Sequence, residues 1–206
     1  MNGRFEVTGV ALSVVALALV VGCGSGQSGS GGTALVRMGD PAPDFMLADQ
    51  TGRVRQLSEY RGQPLVLYFY PRDATPGCTR EACAFRDAWT QLQETGARVV
   101  GVSTDDVESH RRFAEEHQLP FELLADLEGE VAQRYGVPMR LGMSSRVTFL
   151  IDADGVVRRV FEEVDPAIHV DEVIAAIQAL PASSGGDTGT VPEETAVDPA
   201  SADGTE

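Results

Sequence analysis

Two cysteines lie five residues apart in the segment PRDATPGCTREAC, residues 71–83. An apolar run typical of a buried strand, LVLYFY, precedes the segment, and the residues after Cys78 have helical periodicity. Cys78 follows a Pro-Gly pair and is therefore expected at a helix N-terminus. The unpaired backbone N–H groups and the positive end of the helix dipole favour a thiolate there, and the thiolate is the nucleophilic form of cysteine. This position suits a reactive cysteine.

A purely structural role is the competing interpretation of Cys78, because a free cysteine packs like a small hydrophobic residue. Position in the chain does not decide between the two, but the neighbouring residues do. Pro71, Thr75 and Cys78 form the pattern P-x3-T-x2-C, and Glu81 and Cys83 follow it.

This combination resembles the peroxiredoxin signature, and with Cys83 it is similar to the bacterioferritin-comigratory, or Q-type, subfamily. Three further segments are similar to landmarks of the family and occur in its order: GDPAPDF at residues 39–45, GVSTDD at residues 101–106 and SRVTFLID at residues 145–152. The resemblance thus extends over the whole central part of the chain.

The resemblance implies a role for each matching residue. Cys78 would be the peroxidatic cysteine, which attacks the O–O bond of a peroxide and becomes a sulfenic acid. The Thr75 hydroxyl would bond the thiolate and the peroxide, and Pro71 would shield the sulfur. Arg146 matches an arginine beside the thiolate, where a guanidinium stabilises both the thiolate and the charge that develops on the peroxide oxygens. Glu81 would hold that guanidinium.

Each matching residue also has a simpler interpretation when taken alone. Thr75 could be a helix cap, Glu81 a favourable charge in the first helical turn, and Arg146 a surface residue of a strand. The segment before Arg146, PMRLGMSS, is also shorter than in many relatives, which leaves the shape of the peroxide entrance open. It contains Arg140, the alternative to Arg146.

In this subfamily the resolving cysteine lies in the same helix as the peroxidatic one, so Cys83 is expected to condense with the sulfenic acid and form an intramolecular disulfide. The expected substrates are hydrogen peroxide and organic hydroperoxides. The expected reductant is a thioredoxin-like protein or another dithiol. The resemblance implies no cofactor and no metal, and we expect a monomer.

Periodic patterns predict the elements that must position these side chains. They are a hairpin over residues 44–57, buried strands over 65–70 and 97–103, helices over 78–95, 105–117, 130–135 and 166–180, and a second hairpin formed by residues 146–152 and 156–162. Strands alternate with helices early and an antiparallel pair comes late, which predicts a mixed α/β sheet with helices on both faces. The family resemblance narrows this class to a thioredoxin-like fold.

Residues 1–22 have the features of a secretory signal peptide, with Arg4 before an apolar run too short for a comfortable membrane span of about 20 residues. The run ends in VVGC, which resembles the bacterial lipobox, so Cys23 is expected to be lipidated. A plain signal peptide or an uncleaved anchor is the alternative.

The rest of the chain divides by composition. Residues 23–34 hold the lipidated cysteine and a flexible Gly/Ser linker, residues 35–180 form the peroxiredoxin domain, and residues 181–206 read as a disordered acidic tail. We therefore expect a lipoprotein on the exported side of the cell envelope, held to the membrane by its lipid.

Other functions remain as alternatives. A thioredoxin-like thiol–disulfide oxidoreductase would use C-x2-C, whereas the spacing here is C-x4-C. An envelope metal-binding protein would need histidines beside the cysteines, but His110 and His117 are predicted on a solvated helix face and His169 lies far downstream. An inactive relative would serve as an interaction module, although every expected active-site residue is present. The net charge of −15 argues against binding nucleic acid.

Overall fold

The computed structural model describes residues 34–181. Its strands are β1 Met46–Asp49, β2 Val54–Gln56, β3 Leu65–Phe69, β4 Arg98–Ser103, β5 Glu122–Ala125, β6 Met139–Arg140, β7 Met143–Ser144, β8 Val147–Ile151 and β9 Val157–Phe161. Its helices are α1 Pro76–Asp87, α2 Trp89–Glu94, α3 Val107–His117, α4 Glu130–Arg134 and α5 His169–Gln178, with a 3₁₀ helix at Leu57–Tyr60.

Seven strands form one mixed sheet in the order β2-β1-β5-β4-β3-β8-β9. Strands β3, β4 and β5 are parallel, and β8 lies antiparallel to β3 on its other side. Phe69, the last residue of β3, pairs with Val147, the first residue of β8. The loop that leaves β3 and the residue that precedes β8 are therefore brought to the same edge of the sheet, where Cys78 and Arg146 can meet.

Two apolar cores cover the opposite faces of the sheet. Side chains alternate along a strand, and along β3 Val66 and Tyr68 belong to one core while Leu67 and Phe69 belong to the other. The first core is built with α1, α3 and α5, and the second with α4 and the 3₁₀ helix. Strand β3 is buried on both faces, which explains why its sequence is apolar without alternation.

The mixed α/β class and the helices on both faces are confirmed, and so are both hairpins and the two buried strands. One predicted helix, residues 78–95, is divided at Ala88 into α1 and α2. Ala88 has a ψ of 8°, away from the helical value of about −42°, although no glycine or proline marks the position. Four elements were not predicted: β5, the β6–β7 pair and the 3₁₀ helix.

The β6–β7 pair occupies the short segment before Arg146. Its turn contains Leu141, which has a positive φ of 52° and is 97% exposed. The Ser144 hydroxyl donates to the Tyr70 carbonyl oxygen at 2.7 Å, and the Thr104 hydroxyl donates to the Gly142 carbonyl oxygen at 3.0 Å. These bonds attach the segment to the residues that follow β3 and β4. They thereby fix the position of the backbone from which the Arg146 side chain extends.

The predicted signal peptide, Cys23, the linker and nearly all of the predicted acidic tail lie outside the described residues. Between residues 34 and 181, no helix combines the length and the apolar character that crossing a membrane requires.

Candidate active site

Cys78 is the third residue of α1 and its side chain is buried, with 2% exposed. Thr75 is the N-cap of the helix and Pro76 its first residue, a position that proline favours because its missing N–H would have no helical partner there. The first helical bond runs from the Thr79 N–H to the Thr75 carbonyl oxygen at 2.9 Å. The Pro-Gly pair thus begins the helix directly before the sulfur, as the sequence predicted.

Arg146 is the arginine that reaches Cys78. Its Nη2 donates to the Cys78 Sγ at 3.3 Å, and its Nη1 donates to the Glu81 carboxylate. Glu81 lies one helical turn after Cys78 and is fully buried. Arg140 is exposed on β6, so the geometry selects Arg146 over the alternative. The guanidinium bridges the sulfur and the carboxylate as the family resemblance implied.

Gly77 lies directly beneath the Arg146 guanidinium and leaves room for it. A Cβ atom at residue 77 would lie 3.3 Å from the Arg146 Nη2, closer than nearly all real Cβ contacts. A Cβ atom at this position would therefore press on the guanidinium, which would have to shift by a few tenths of an ångström. The sequence marked Gly77 only as half of the Pro-Gly pair before the helix, and its contact with Arg146 depends on the three-dimensional arrangement.

Burial dominates the electrostatics of Glu81. Removal from water disfavours its ionised form and raises the pKa of Glu81 to about 7, although the charge and hydrogen bond of Arg146 act in the opposite direction. Its second oxygen, Oε1, has no hydrogen-bond partner and lies 4.0 Å from the His169 Nε2. The charge of this buried cluster can therefore change near neutral pH.

His169 comes from α5 and is also fully buried. Its Nε2 shares a hydrogen bond of 2.9 Å with the Thr148 hydroxyl on β8. Burial lowers the pKa of His169 to about 4, and the positive charge of Arg146 acts in the same direction. His169 is therefore neutral at pH 7. No signal near the cysteines in the sequence points to this residue, because α5 is far along the chain.

The other predicted site residues are in place around the loop between β3 and α1. Pro71 is half-buried two residues after the end of β3. The Thr75 hydroxyl donates to the Arg72 carbonyl oxygen at 3.1 Å. Because a hydroxyl has one proton, this bond means that Thr75 does not donate to the sulfur in this structure.

Cys83 lies in the same helix as Cys78, half-buried, and both are free thiols. Residues five apart on an α-helix have Cα atoms about 8–9 Å apart, whereas a disulfide needs about 4.4–6.8 Å. The helical structure is thus that of the dithiol form.

A buried contact between His110 and Asp73 was also not predicted. The expectation that His110 lies on a solvated helix face is wrong, because its side chain is fully buried and its Nδ1 lies 2.9 Å from the Asp73 Oδ2. The spacing of His110, Phe113 and Ala114 was a usable signal, since residues three and four apart share one helix face.

No cluster of three or more His, Cys, Asp or Glu side chains suited to a metal ion is found within residues 34–181.

Several proteins of a known family have a similar sequence and a similar fold. Residues 38–160 match the AhpC/TSA family. A chloroplastic peroxiredoxin Q of Sedum lineare is 45% identical over 150 residues, which cover 71% of this chain and 81% of that protein. The crystal structure of peroxidoxin BcpB from Mycobacterium tuberculosis is 41% identical, with a TM-score of 0.67, and covers 71% of this chain and 99% of that chain. A Xanthomonas campestris peroxiredoxin Q is 32% identical, with a TM-score of 0.64, and covers 71% and 97%.

A mixed sheet with helices on both faces, a cysteine at the start of α1 and a match over most of the folded part define a thioredoxin-like peroxiredoxin, and the chain belongs to the AhpC/TSA family. Within that family it is of the Q, or bacterioferritin-comigratory, type. It is a thiol-dependent peroxidase, an oxidoreductase whose substrate is a peroxide. A thioredoxin-type reductant is consistent with the family.

Proposed function

We propose that Cys78 carries the peroxidase reaction. Its thiolate attacks one oxygen of the peroxide, the O–O bond breaks, and the products are the Cys78 sulfenic acid and an alkoxide or hydroxide that takes up a proton. The 3.3 Å contact between the Arg146 guanidinium and the sulfur supports this assignment most directly. The same guanidinium can stabilise the charge that moves onto the leaving oxygen, and Glu81 holds it.

Thr75 and Pro71 complete the site in this proposal. The Thr75 hydroxyl lies at the helix N-cap and needs only to turn away from the Arg72 carbonyl oxygen to bond a peroxide. Pro71 is half-buried where the loop leaves β3 and limits access of water to the sulfur. Hydrogen peroxide and organic hydroperoxides are both proposed as substrates.

Cys83 completes the cycle in the proposal. Its thiol attacks the Cys78 sulfenic acid, a disulfide forms and water leaves. A thioredoxin-like protein or another dithiol then reduces the disulfide and restores both thiols. Because peroxidatic and resolving cysteines lie in one helix, no second chain is needed, and we propose a monomer.

We also propose that the chain is a lipoprotein of the cell envelope, cleaved before Cys23 and anchored through it. The apolar run, the VVGC sequence and the Gly/Ser segment at residues 24–32 support this proposal. One acyl chain alone binds membranes only marginally, so several are required for stable attachment. Intact mass of membrane-derived protein tests it: we expect acyl groups on an N-terminal Cys23, and an unmodified Cys23 would contradict the anchor.

Replacement of each cysteine in the full chain tests the proposed reaction. Cys78→Ser should abolish rapid peroxide reduction, because a serine hydroxyl is not ionised and is a poor nucleophile towards oxygen. Cys83→Ser should reduce about one equivalent of peroxide and then stop or over-oxidise, unless an external thiol is added. Wild-type rates in Cys78→Ser would refute the proposal, and sustained turnover by Cys83→Ser without added thiol would refute the role of Cys83.

A further inference from the structure

Asp73 is a buried carboxylate in the loop between Pro71 and Thr75, and the proposed mechanism leaves it without a role. Only 7% of the residue is exposed. A carboxylate this deep requires hydrogen bonds to stay ionised. Its location, between two residues assigned to the active site, raises the question of what its hydrogen bonds hold in place.

Three side chains donate to the Asp73 carboxylate. The Tyr70 hydroxyl donates to Oδ1 at 2.7 Å, and the Ser109 hydroxyl donates to Oδ2 at 2.8 Å. The His110 Nδ1 donates to the same Oδ2 at 2.9 Å, since an ionised carboxylate can only accept. Burial disfavours the charge, but these bonds outweigh it and hold the pKa of Asp73 below its ordinary value.

The backbone of Asp73 is fixed as well. Its N–H donates to the Asp105 Oδ2 at 2.9 Å, and the Ser103 hydroxyl donates to that oxygen at 2.7 Å. The next residue, Ala74, has a φ of +54°. This left-handed conformation is unfavourable for a residue with a Cβ atom, so the surrounding hydrogen bonds must hold it.

All of these donors and acceptors lie outside the segment that must unwind before Cys78 and Cys83 can bond. Tyr70 follows β3, Ser103 ends β4, and Ser109 and His110 belong to α3. The segment from Pro76 onward, in contrast, contains both cysteines. Asp73 is therefore attached to the fixed part of the molecule within three residues of the start of the helix.

We propose that Asp73, held by Tyr70, Ser109 and His110, is a positioning residue for peroxide reduction: it maintains the left-handed turn at Ala74 and so sets the Thr75 hydroxyl and the first turn of α1 against Cys78 in each catalytic cycle. This inference rests on the proposed function of Cys78. It extends the machinery of the reaction to α3, which contributes none of the residues of the proposed mechanism.

Stopped-flow measurement with hydrogen peroxide on the reduced full chain tests the inference, with Trp89, the only tryptophan, as the fluorescent probe. Asp73→Asn keeps the size of the side chain but replaces one acceptor oxygen by an NH₂ group, which faces hydrogen-bond donors and cannot accept from them. We expect its rate constant for the first step to fall about 10- to 100-fold, as for small misplacements of catalytic groups. His110→Phe should act in the same direction with a smaller loss. A wild-type rate in both variants overturns the inference.

Rescue by glycine separates positioning from general damage. In Asp73→Asn combined with Ala74→Gly, the rate should recover in part, because glycine adopts the left-handed conformation without support. Asp106→Ala is the matched control: it removes the N-cap bond to the Ser109 N–H and weakens α3, yet leaves the Asp73 carboxylate untouched. Its rate should stay near wild type. Equal slowing in Asp106→Ala, or no rescue by glycine, overturns the positioning role.

Amide exchange distinguishes failure of this inference from failure of the proposed function. In reduced Asp73→Asn, the Thr79 N–H should exchange at least tenfold faster than in wild type, because its bond to the Thr75 carbonyl oxygen closes the first turn. The amides of β3 and β4 should keep their protection, which also shows that the variant is folded. This readout does not require peroxide chemistry at Cys78. Unchanged exchange at Thr79 overturns the inference even if Cys78 is peroxidatic.

Discussion

Two buried carboxylates flank Cys78 in the chain, and each lies near a fully buried histidine. Asp73 accepts three side-chain hydrogen bonds, including one from His110. Glu81 accepts one, from Arg146, and its Oε1 stays 4.0 Å from the His169 Nε2 without a hydrogen bond. The pKa of Asp73 is consequently below its ordinary value, whereas the pKa of Glu81 rises to about 7.

The difference shows that burial alone does not set the charge of a carboxylate. Both side chains lose contact with water, but the donors around Asp73 replace the lost hydration and those around Glu81 do so only in part. Asp73 is thereby suited to hold a loop permanently. Glu81 holds the arginine of the reacting centre in a cluster whose charge can change. The Asp73–His110 pair thus places a fixed charge on one side of Cys78, and the Glu81–His169 pair places a charge that can change on the other side.

Of the predictions that follow from this comparison, the largest effect is expected from removing Arg146, the one side chain among residues 34–181 that donates to Glu81. Arg146→Ala should slow peroxide reduction by about 100- to 1,000-fold, the usual loss for a group that stabilises developing charge. The fold should remain intact, because the arginine precedes β8 rather than lying within it. Stopped-flow kinetics checks the rate. Arg140→Ala is the matched control and should stay near wild type; if only the Arg140 variant were slow, the geometry of the site would be wrong.

Oxidation should also affect the surroundings of the two carboxylates differently. The Cys78–Cys83 disulfide requires unwinding of the first part of α1, which contains Glu81, while Asp73 stays attached to α3. Amide exchange over residues 79–85 should therefore be much faster in the oxidised chain, and exchange at His110 should be unchanged. Cys83→Ser, which cannot form the bond, should lose the difference. Equal protection of residues 79–85 in both states, with the disulfide verified by mass spectrometry, would rule out unwinding.

The smallest expected effect is in stability against pH. The raised pKa of Glu81 contributes stability that is complete below about pH 4.5 and is lost as the pH rises through about 7. The lowered pKa of His169 contributes stability that is complete above about pH 6.5 and is lost as the pH falls through about 4. One pKa unit corresponds to about 1.36 kcal/mol, so each contribution is about 3 kcal/mol and the two oppose each other between pH 4.5 and 6.5.

Two variants expose the opposing contributions. On acidification from pH 7 to 4.5, Glu81→Gln should lose about 3 kcal/mol of unfolding free energy relative to the change in wild type. His169→Gln should gain a similar amount. Urea unfolding of the reduced chain, followed by Trp89 fluorescence, measures both. If the three proteins showed parallel pH profiles, neither buried group would have the pKa that its surroundings indicate.

The sequence predicted those features that depend on neighbours along the chain. Helical periodicity and the Pro-Gly pair placed Cys78 at a helix start, and a glycine turn marked the β8–β9 hairpin. The break at Ala88 was missed, because no glycine or proline marks it in the sequence. Strand β5 is only four residues long, Glu122–Ala125, and is stabilised by pairing with β4 and β1 rather than by its own pattern.

The site was predictable where a motif contains the residues and unpredictable where distant elements supply them. Cys78, Glu81 and Arg146 lie in matched motifs and meet as expected. His169 comes from α5, and its place beside Glu81 follows from the packing of α5 against α1 on the same face of the sheet. Asp73 was present in the first motif, but its role depends on donors from α3 that the motif does not contain.

The central claim is that the sulfur of Cys78, beside Arg146, accepts the oxygen of the peroxide. The most direct test is a single turnover of the reduced Cys83→Ser chain with one equivalent of hydrogen peroxide, followed by trapping of sulfenic acid and peptide mass spectrometry. The account predicts one added oxygen atom, located on Cys78, formed within the stopped-flow transient and absent from Arg146→Ala combined with Cys83→Ser on that timescale. An unmodified Cys78 after the peroxide has been consumed would contradict it.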